Sequence, residues 1–361
     1  MNIVHVETGK KLYGGPRQVL LLIDGLAKKG IKNTLVCDPN SAIASVANSA
    51  STKIHCIPML GDLDIRFGQR LLSQLMNIKP ALVHIHSRRG ADFWGVSAAR
   101  RAKIPSILTR RVDNPELPFF GRIKYSMYNR VVAISHQIEK QLYLDGAPKD
   151  TIKVIYSAID SKNCIPVWSR EQFLKHFDLS SQNLVVLCAA QLIKRKGHSN
   201  LLNAWTQVSL ACPDARLLIF GQGNQETHLK KLVYDYGLNT SVQFQGFRKD
   251  LRDFLGCADI LVHPALNEGL GIILLEAQAA EVPIIAADAG GINEAVEADQ
   301  TALLTLPNDP LDLASKLIIL LKNESLRKSL GVKGPQIVQE KFSTEKMVNA
   351  YIQVYKEVLL D

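Results

Sequence analysis

No run in this sequence approaches the ~18 to 20 apolar residues that a membrane-spanning helix needs, which argues against an integral helical membrane protein. The opening residues, MNIVHVETG, lack the basic stretch followed by an apolar one that marks a secretory signal. The six cysteines, Cys37, Cys56, Cys164, Cys188, Cys212 and Cys257, include no CxxC pair. Most of them sit in apolar runs, where a thiol serves as a small buried hydrophobe. Low-complexity tracts are missing, and so is any repeat with a period of about 20 to 50 residues. Together these absences predict a soluble, reduced, cytoplasmic protein. What the chain does have is 361 residues, 47% of them hydrophobic and 21% charged, enough to bury a substantial core. At roughly 150 residues per domain, two domains are expected.

The net charge of +9 is unevenly placed. Residues 1–163 carry 24 Lys and Arg against 12 Asp and Glu, a balance of +12, and the remainder carries −3. The excess is densest from Arg88 to Arg130 and includes Arg89, Arg100, Arg101, Lys103, Arg110, Arg111, Arg122 and Lys124. Such a field suits an anionic partner: a nucleic acid, an acidic membrane surface or a phosphorylated substrate. Residue by residue, solubility explains it as well. No RNP-like aromatic sheet, zinc spacing or helix-turn-helix signal accompanies the charge, so no nucleic-acid partner is expected.

Short apolar runs alternate with longer amphipathic ones. Asn2–Val6, Thr34–Cys37, Ala81–Ile85, Ser106–Leu108 and Arg130–Ile134 read as strands in the first half. Leu184–Cys188, Arg216–Phe220, Val242–Phe244, Asp259–Val262 and Pro283–Ala286 read as strands in the second. Strands apolar throughout are buried on both faces, as in parallel sheets covered by helices. Two such sets predict two doubly wound α/β domains with ligand sites at the carboxyl ends of their strands. The expected division is 1–163 and 164–344, and 345–361 has the apolar spacing of a final helix.

The stretch from Asp259 to Ala277 carries the most chemistry. A strand ends at Pro264, a loop bears Glu268, Gly269 and Gly271, and an apolar helix begins. Glycines admit close backbone approach, and the free N–H groups of a helix start attract a phosphate. Side chains lean toward a helix N-terminus, so Glu276 reaches back toward that phosphate while Glu268 flanks its other side. Two carboxylates beside a phosphate site suit the hydroxyls of a sugar nucleotide. On spacing alone, a capping glutamate and a surface glutamate fit equally well.

The run Glu268-Gly-Leu-Gly…Glu276-Ala resembles the E-x7-E signature of retaining GT-B glycosyltransferases of family 4 (group 1), in particular those acting on bacterial envelope glycans. Gly14-Gly15, Val131–Ser135, Val154–Asp160, Gln191–Gly197, Phe220–Gly223, Gln245–Phe247 and Gly290-Gly291…Glu294 resemble further motifs of that family, in the same order. The resemblance implies two Rossmann-like domains facing a cleft, with the final helix, 345–361, crossing back onto the first. It implies a nucleotide-sugar donor, UDP-linked as the commonest case and GDP-linked as the alternative, held mainly by the second domain. Lys196 then pairs with the donor diphosphate, Glu276 with the ribose and Glu268 with the transferred sugar. Gly14, Gly15, Gln191, Gly223, Gly269, Leu270, Gly271, Ile272 and Ile273 complete the donor site. No metal and no cofactor is expected, because a lysine and a helix start neutralise the leaving diphosphate.

Some positions depart from the family pattern. Gln191 stands where a phosphate-binding arginine is usual, and Thr109-Arg110-Arg111 where a histidine is usual. A catalytically weak subunit that only binds sugar nucleotide, and a UDP-sugar epimerase of the same fold, therefore remain alternatives. Asp62-Leu-Asp64 has DxD spacing but reads as a surface loop. His86, Arg88, Arg110 and Arg111 are the expected acceptor-side residues, suited to an anionic glycan or glycolipid such as a lipopolysaccharide core. Leu117–Phe120 with Tyr125, Met127 and Tyr128, interleaved with Arg122, Lys124 and Arg130, fits either peripheral contact with an anionic membrane or a buried helix edge.

Overall fold

The computed structural model describes residues 1–47, 50–87 and 90–360, with only the backbone at 162 and 163. The chain divides into two compact units: Met1–Ala158 joined by the final helix, Thr344–Leu360, and Ile159–Ser343. The division falls at Ala158/Ile159, five residues before the expected one. Ile159 belongs with the second unit because its N–H donates to Phe342 O (3.0 Å) and it bridges to Ser343.

Among the described residues the first unit forms a seven-stranded parallel sheet. Its strands are β1 (Asn2–Glu7), β2 (Lys32–Cys37), β3 (Lys53–Cys56), β4 (Leu82–Ile85), β5 (Ser106–Arg110), β6 (Arg130–Ala133) and β7 (Ile152–Val154). They lie in the order 3-2-1-4-5-6-7. Ile3, Leu82, Ile107 and Val132 on these strands pack with Leu22 and Leu26 of the first helix, Gly14–Lys28. Met347, Val348, Tyr351, Tyr355 and Val358 of the final helix close the same core. That apolar spacing is why this helix leaves its sequence neighbours and docks here.

The second unit holds β8 (Leu184–Ala189), β9 (Ala215–Phe220), β10 (Val242–Gly246), β11 (Ile260–His263), β12 (Ile284–Ala287) and β13 (Ala302–Thr305). All pairs are parallel, in the order 10-9-8-11-12-13. Val186, Leu217, Ile219, Ile260 and Val262 form its core with Trp205, whose indole N–H donates to Ser241 Oγ at 3.1 Å. Each unit is thus a doubly wound α/β fold. In each, the strand order reverses once, between β1 and β4 and between β8 and β11. The strand ends diverge there, and ligands bind in such crevices.

Candidate functional site

In the second unit the loops after β8 and β11 meet at the reversal point. Lys196 follows β8 and Glu268 follows β11, and the two form a largely buried ion pair through Glu268 Oε2. His263, the last residue of β11, donates from Nε2 to the same oxygen at 3.0 Å. Burial alone would raise the Glu268 carboxyl, but the His263 hydrogen bond and the Lys196 charge hold it well below the usual carboxylate range. Glu268 is therefore ionised, and it also accepts its neighbour's N–H, Gly269 N, at 3.1 Å. Burial pushes His263 down, against the pull of Glu268, while its Nδ1 has no partner among the described residues.

Gly271, at φ 88°, turns the chain into the helix Ile272–Ala279. A side chain is disfavoured in that left-handed conformation. One and a half turns on, Glu276 is buried and takes Arg252 Nε at 2.7 Å, with a second contact from the same guanidinium. The loop after β9 closes tightly on the loop after β8: a Cβ at Gly223 would lie 2.2 Å from Leu192 O. Gln191, Gly223, Gly269, Leu270, Gly271, Ile272 and Ile273 therefore ring the same strand ends, beside two carboxylates already matched by cations.

In the first unit a cavity of about 880 Å³ opens at the reversal point. Glu7, Lys10, Lys11, Gly15, His86, Ser87 and Arg111 are among its walls, from the end of β1, the start of the first helix and the loops after β1, β4 and β5. Glu7 Oε1 accepts from Ser87 Oγ (2.6 Å) and Gly9 N (2.8 Å). Gly14 and Gly15 form the first residues of a helix rather than a loop. Gly15 lies against Arg111, where a Cβ would stand 3.7 Å from Cδ, while the space beside Gly14 is open. Arg111 reaches His86 Nδ1 at 3.3 Å.

Arg110 does not join them. The expectation that it meets an anionic acceptor is corrected here, because its side chain is 1% exposed and its hydrogen bonds are spent inside the unit. It donates to Val112 O (2.8 Å), Asn114 O, Glu116 Oε1 and Tyr125 OH (3.1 Å), and pairs with Asp145 at 3.3 Å. A strand alternates faces, so the last residue of β5 points inward while its successor turns out into the cavity. Arg88 lies outside the described residues. Asp64 caps the helix Ile65–Ile78 and pairs with Arg70 at 2.7 Å, which gives the DxD spacing a structural role.

Two family models match the chain: glycosyl transferases group 1 over residues 169–336 and Glycosyltransferase Family 4 over residues 13–163. The chain belongs to the group 1 glycosyltransferases. It is 27% identical over 251 residues to N-acetyl-alpha-D-glucosaminyl L-malate synthase of Bacillus anthracis, covering 69% of this chain and 65% of that protein, under two thirds of its length. It is 28% identical over 360 residues to the lipopolysaccharide core biosynthesis glycosyltransferase LpsE of Rhizobium meliloti, covering 98% of each. The crystal structure of HepE from Anabaena in complex with UDP and glucose matches with a TM-score of 0.88 at 17% identity, over 99% of this chain and 100% of that one. The fold is GT-B.

Three residues of these sites escaped the sequence reading. Arg252 binds Glu276 from 24 positions upstream, His263 binds Glu268 from within a strand, and Glu7 lines the first-unit cavity. His263 directly follows the apolar run Ile260–Val262, and strand-end position was the available signal. Nothing in the spacing marked Arg252, because its link to Glu276 exists only once the chain is folded.

Proposed function

We propose that this chain transfers a sugar from a nucleotide-sugar donor, UDP-linked, to an anionic glycan or glycolipid of the bacterial envelope such as a lipopolysaccharide core. The observation that carries this reading is the pairing of Lys196 with Glu268 and Arg252 with Glu276 around the start of the Ile272 helix. An incoming diphosphate competes for Lys196 and frees the Glu268 carboxylate to accept from sugar hydroxyls. Ribose hydroxyls donate to Glu276, whose charge Arg252 balances. The helix start and Gly269–Ile273 supply N–H donors to the phosphates without a metal ion.

Retention is part of the proposal. The bond from the anomeric carbon to the diphosphate oxygen breaks, the acceptor oxygen bonds to the same face of that carbon, and the acceptor proton passes to the departing diphosphate. Among the described residues, no pair of carboxylates stands out as nucleophile and general acid in the manner of a glycosidase. The first-unit cavity, with Lys10, Lys11 and Arg111, takes the anionic part of the acceptor. Arg111 presents a fork that matches phosphate or carboxylate. Leu117, Phe119 and Phe120, at 68%, 71% and 65% exposure, support peripheral contact with an anionic membrane surface.

The test is a transfer assay with UDP-, GDP- and ADP-sugars on a lipopolysaccharide-core acceptor, run with and without EDTA and read by NMR at the new anomeric centre. A retained linkage formed from a UDP-sugar at the same rate in EDTA is expected. Inversion, loss of activity in EDTA, or turnover at C2 of the donor with no transfer would overturn the corresponding part.

A further inference from the structure

Behind the first-unit cavity, three histidines from neighbouring strands are buried together: His5 on β1, His84 on β4 and His86 just past its end. His84 and His86 share a sheet face, two residues apart, and His5 stands in register with His84. Their rings are close enough to offer nitrogens to one cation. Every ring nitrogen, however, already has a protein partner. His84 meets Tyr355 OH (2.8 Å) and Thr109 Oγ1 (2.7 Å). His5 meets Asn33 Oδ1 and His86 Nε2, both at 3.1 Å, and His86 meets Arg111 at 3.3 Å.

The direction of these hydrogen bonds follows from groups that have no choice. The Asn33 amide nitrogen faces three backbone carbonyls, Ile31 O (3.0 Å), Ile23 O (3.3 Å) and Ser51 O (3.4 Å). Its Oδ1 therefore faces His5 and only accepts, so His5 carries its proton on Nε2. Burial keeps His5 neutral by pushing it down to about 4, and His86 is held well below the usual range by burial, the adjacent His84 ring and the Arg111 charge. A neutral ring has one N–H, so His5 Nδ1 accepts and His86 Nε2 donates to it. That leaves His86 Nδ1 bare, and it faces the guanidinium of Arg111, which can only donate. Starting from Arg111 gives the same ordering.

We propose that Asn33 and His5 are positioning residues for anion recognition in this cavity: they lock His86 as the Nε2–H tautomer, so that its Nδ1 accepts from Arg111 and holds that guanidinium in the cavity wall. The proposal rests on the reading that the cavity takes an anionic acceptor group. In the opposite tautomer, an Nδ1–H would confront the arginine N–H, donor against donor, and Arg111 would lose its anchor. Arg111 Nε is buried without a partner among the described residues, so His86 is the one contact described for this side chain's donors. A residue in the core thereby fixes a cation three links away.

The experiment is long-range 15N NMR on the full chain labelled at histidine, with His5→Phe and His86→Phe used for assignment. The parent should show His5 and His86 both neutral and both protonated at Nε2. A His86 protonated at Nδ1, or at both nitrogens, in the parent overturns the ordering. Inorganic phosphate is then titrated while the His86 Nδ1 resonance is followed, a readout local to this cavity. His5→Phe should leave His86 as a mixture of tautomers and weaken phosphate binding about fivefold, as expected when a donor loses its ordering hydrogen bond. Arg111→Gln should weaken it at least as much. If Arg111→Gln weakens phosphate binding but His5→Phe changes neither the tautomer nor the binding, the positioning role is wrong and the cavity reading stands. If phosphate leaves the His86 signal of the parent unmoved, the cavity reading fails and takes the proposal's purpose with it.

Discussion

Arg110 and Arg111 are adjacent in sequence and opposite in role, which makes them a test of how burial decides what a charge does. Arg110 balances Glu116 and Asp145 inside the first unit. Removing one partner of such a network strands the others, at a cost of ~3 to 5 kcal/mol. Arg110→Met should lower the unfolding free energy of the first unit, measured in urea, by that order, whereas Arg111→Met should leave it near the parent value and raise the acceptor KM. His198 makes a complementary case in the second unit. It is 2% exposed, and neither ring nitrogen has a partner among the described residues. His198→Leu should therefore be neutral or stabilising by ~1 kcal/mol in urea unfolding, because it removes a buried polar group that gains nothing. His5 and His198 are both pushed down from 6.5 to about 4 by burial. Unfolded histidines take up protons near 6.5 and these folded ones do not until about 4, so stability falls as pH drops through that window. Melting temperatures measured from pH 7 to pH 4 should decline most between those values, and less steeply in His198→Leu.

Among the elements, the final helix does more than close a core. Tyr355 OH meets His84 Nδ1 at 2.8 Å, and Tyr351 OH meets Thr109 Oγ1 at 2.9 Å, both fully inside the unit. Tyr355→Phe leaves His84 Nδ1 unpaired and should cost ~1 to 3 kcal/mol in urea unfolding of the first unit. The helix itself was readable from its apolar spacing and its return from the family resemblance, while strands buried on both faces, such as β1, β8 and β11, were readable from their apolar runs. Edge strands β3, β7 and β13 were not. Lys53–Cys56 is half exposed and Ile152–Val154 has only three residues, so neither shows the continuous apolar run that betrays a central strand. The helix Pro118–Tyr125 shows the same limit at finer grain. Its sequence mixes Phe119, Phe120, Arg122 and Lys124 in one stretch. Folding sends Lys124 inward to Asp92 (2.8 Å) and Glu116 (2.6 Å), buries Tyr125, and leaves the two phenylalanines outside. The residues around Glu268 and Glu276 stood out because glycines and carboxylates sit next to each other in the chain, but spacing alone fitted capping and surface glutamates equally well, and only the family resemblance pointed to a donor site. Their partners Arg252 and His263 were not, since long-range pairing leaves no local mark.

At the scale of the whole molecule the charge divides as the proposed roles do, +12 in residues 1–163 against −3 in the rest. Among the described residues no helix is long and apolar enough to cross a membrane. Membrane contact in this account comes from Leu117, Phe119 and Phe120 and from exposed basic side chains, each Lys or Arg contributing ~1 kcal/mol near an anionic surface. The protein should sediment with vesicles rich in anionic lipid and not with neutral ones. Raising salt from about 50 to about 500 mM should release it, because screening shortens the reach of these charges. Phe119→Ser with Phe120→Ser should weaken binding without altering the melting temperature. Salt-insensitive binding, or a preference for neutral vesicles, would reduce the basic field to solubility.

The central claim is that the second unit recognises a nucleotide-sugar through two carboxylates with separate duties, and calorimetry on Glu276→Ala and Glu268→Ala, paired with the transfer assay, tests it most directly. Glu276→Ala should bind UDP about tenfold more weakly, the loss of a hydrogen bond to a charged group. Glu268→Ala should bind UDP like the parent and lose transfer. If both variants bind UDP and transfer sugar as the parent does, the two glutamates are structural and this account of the site is wrong.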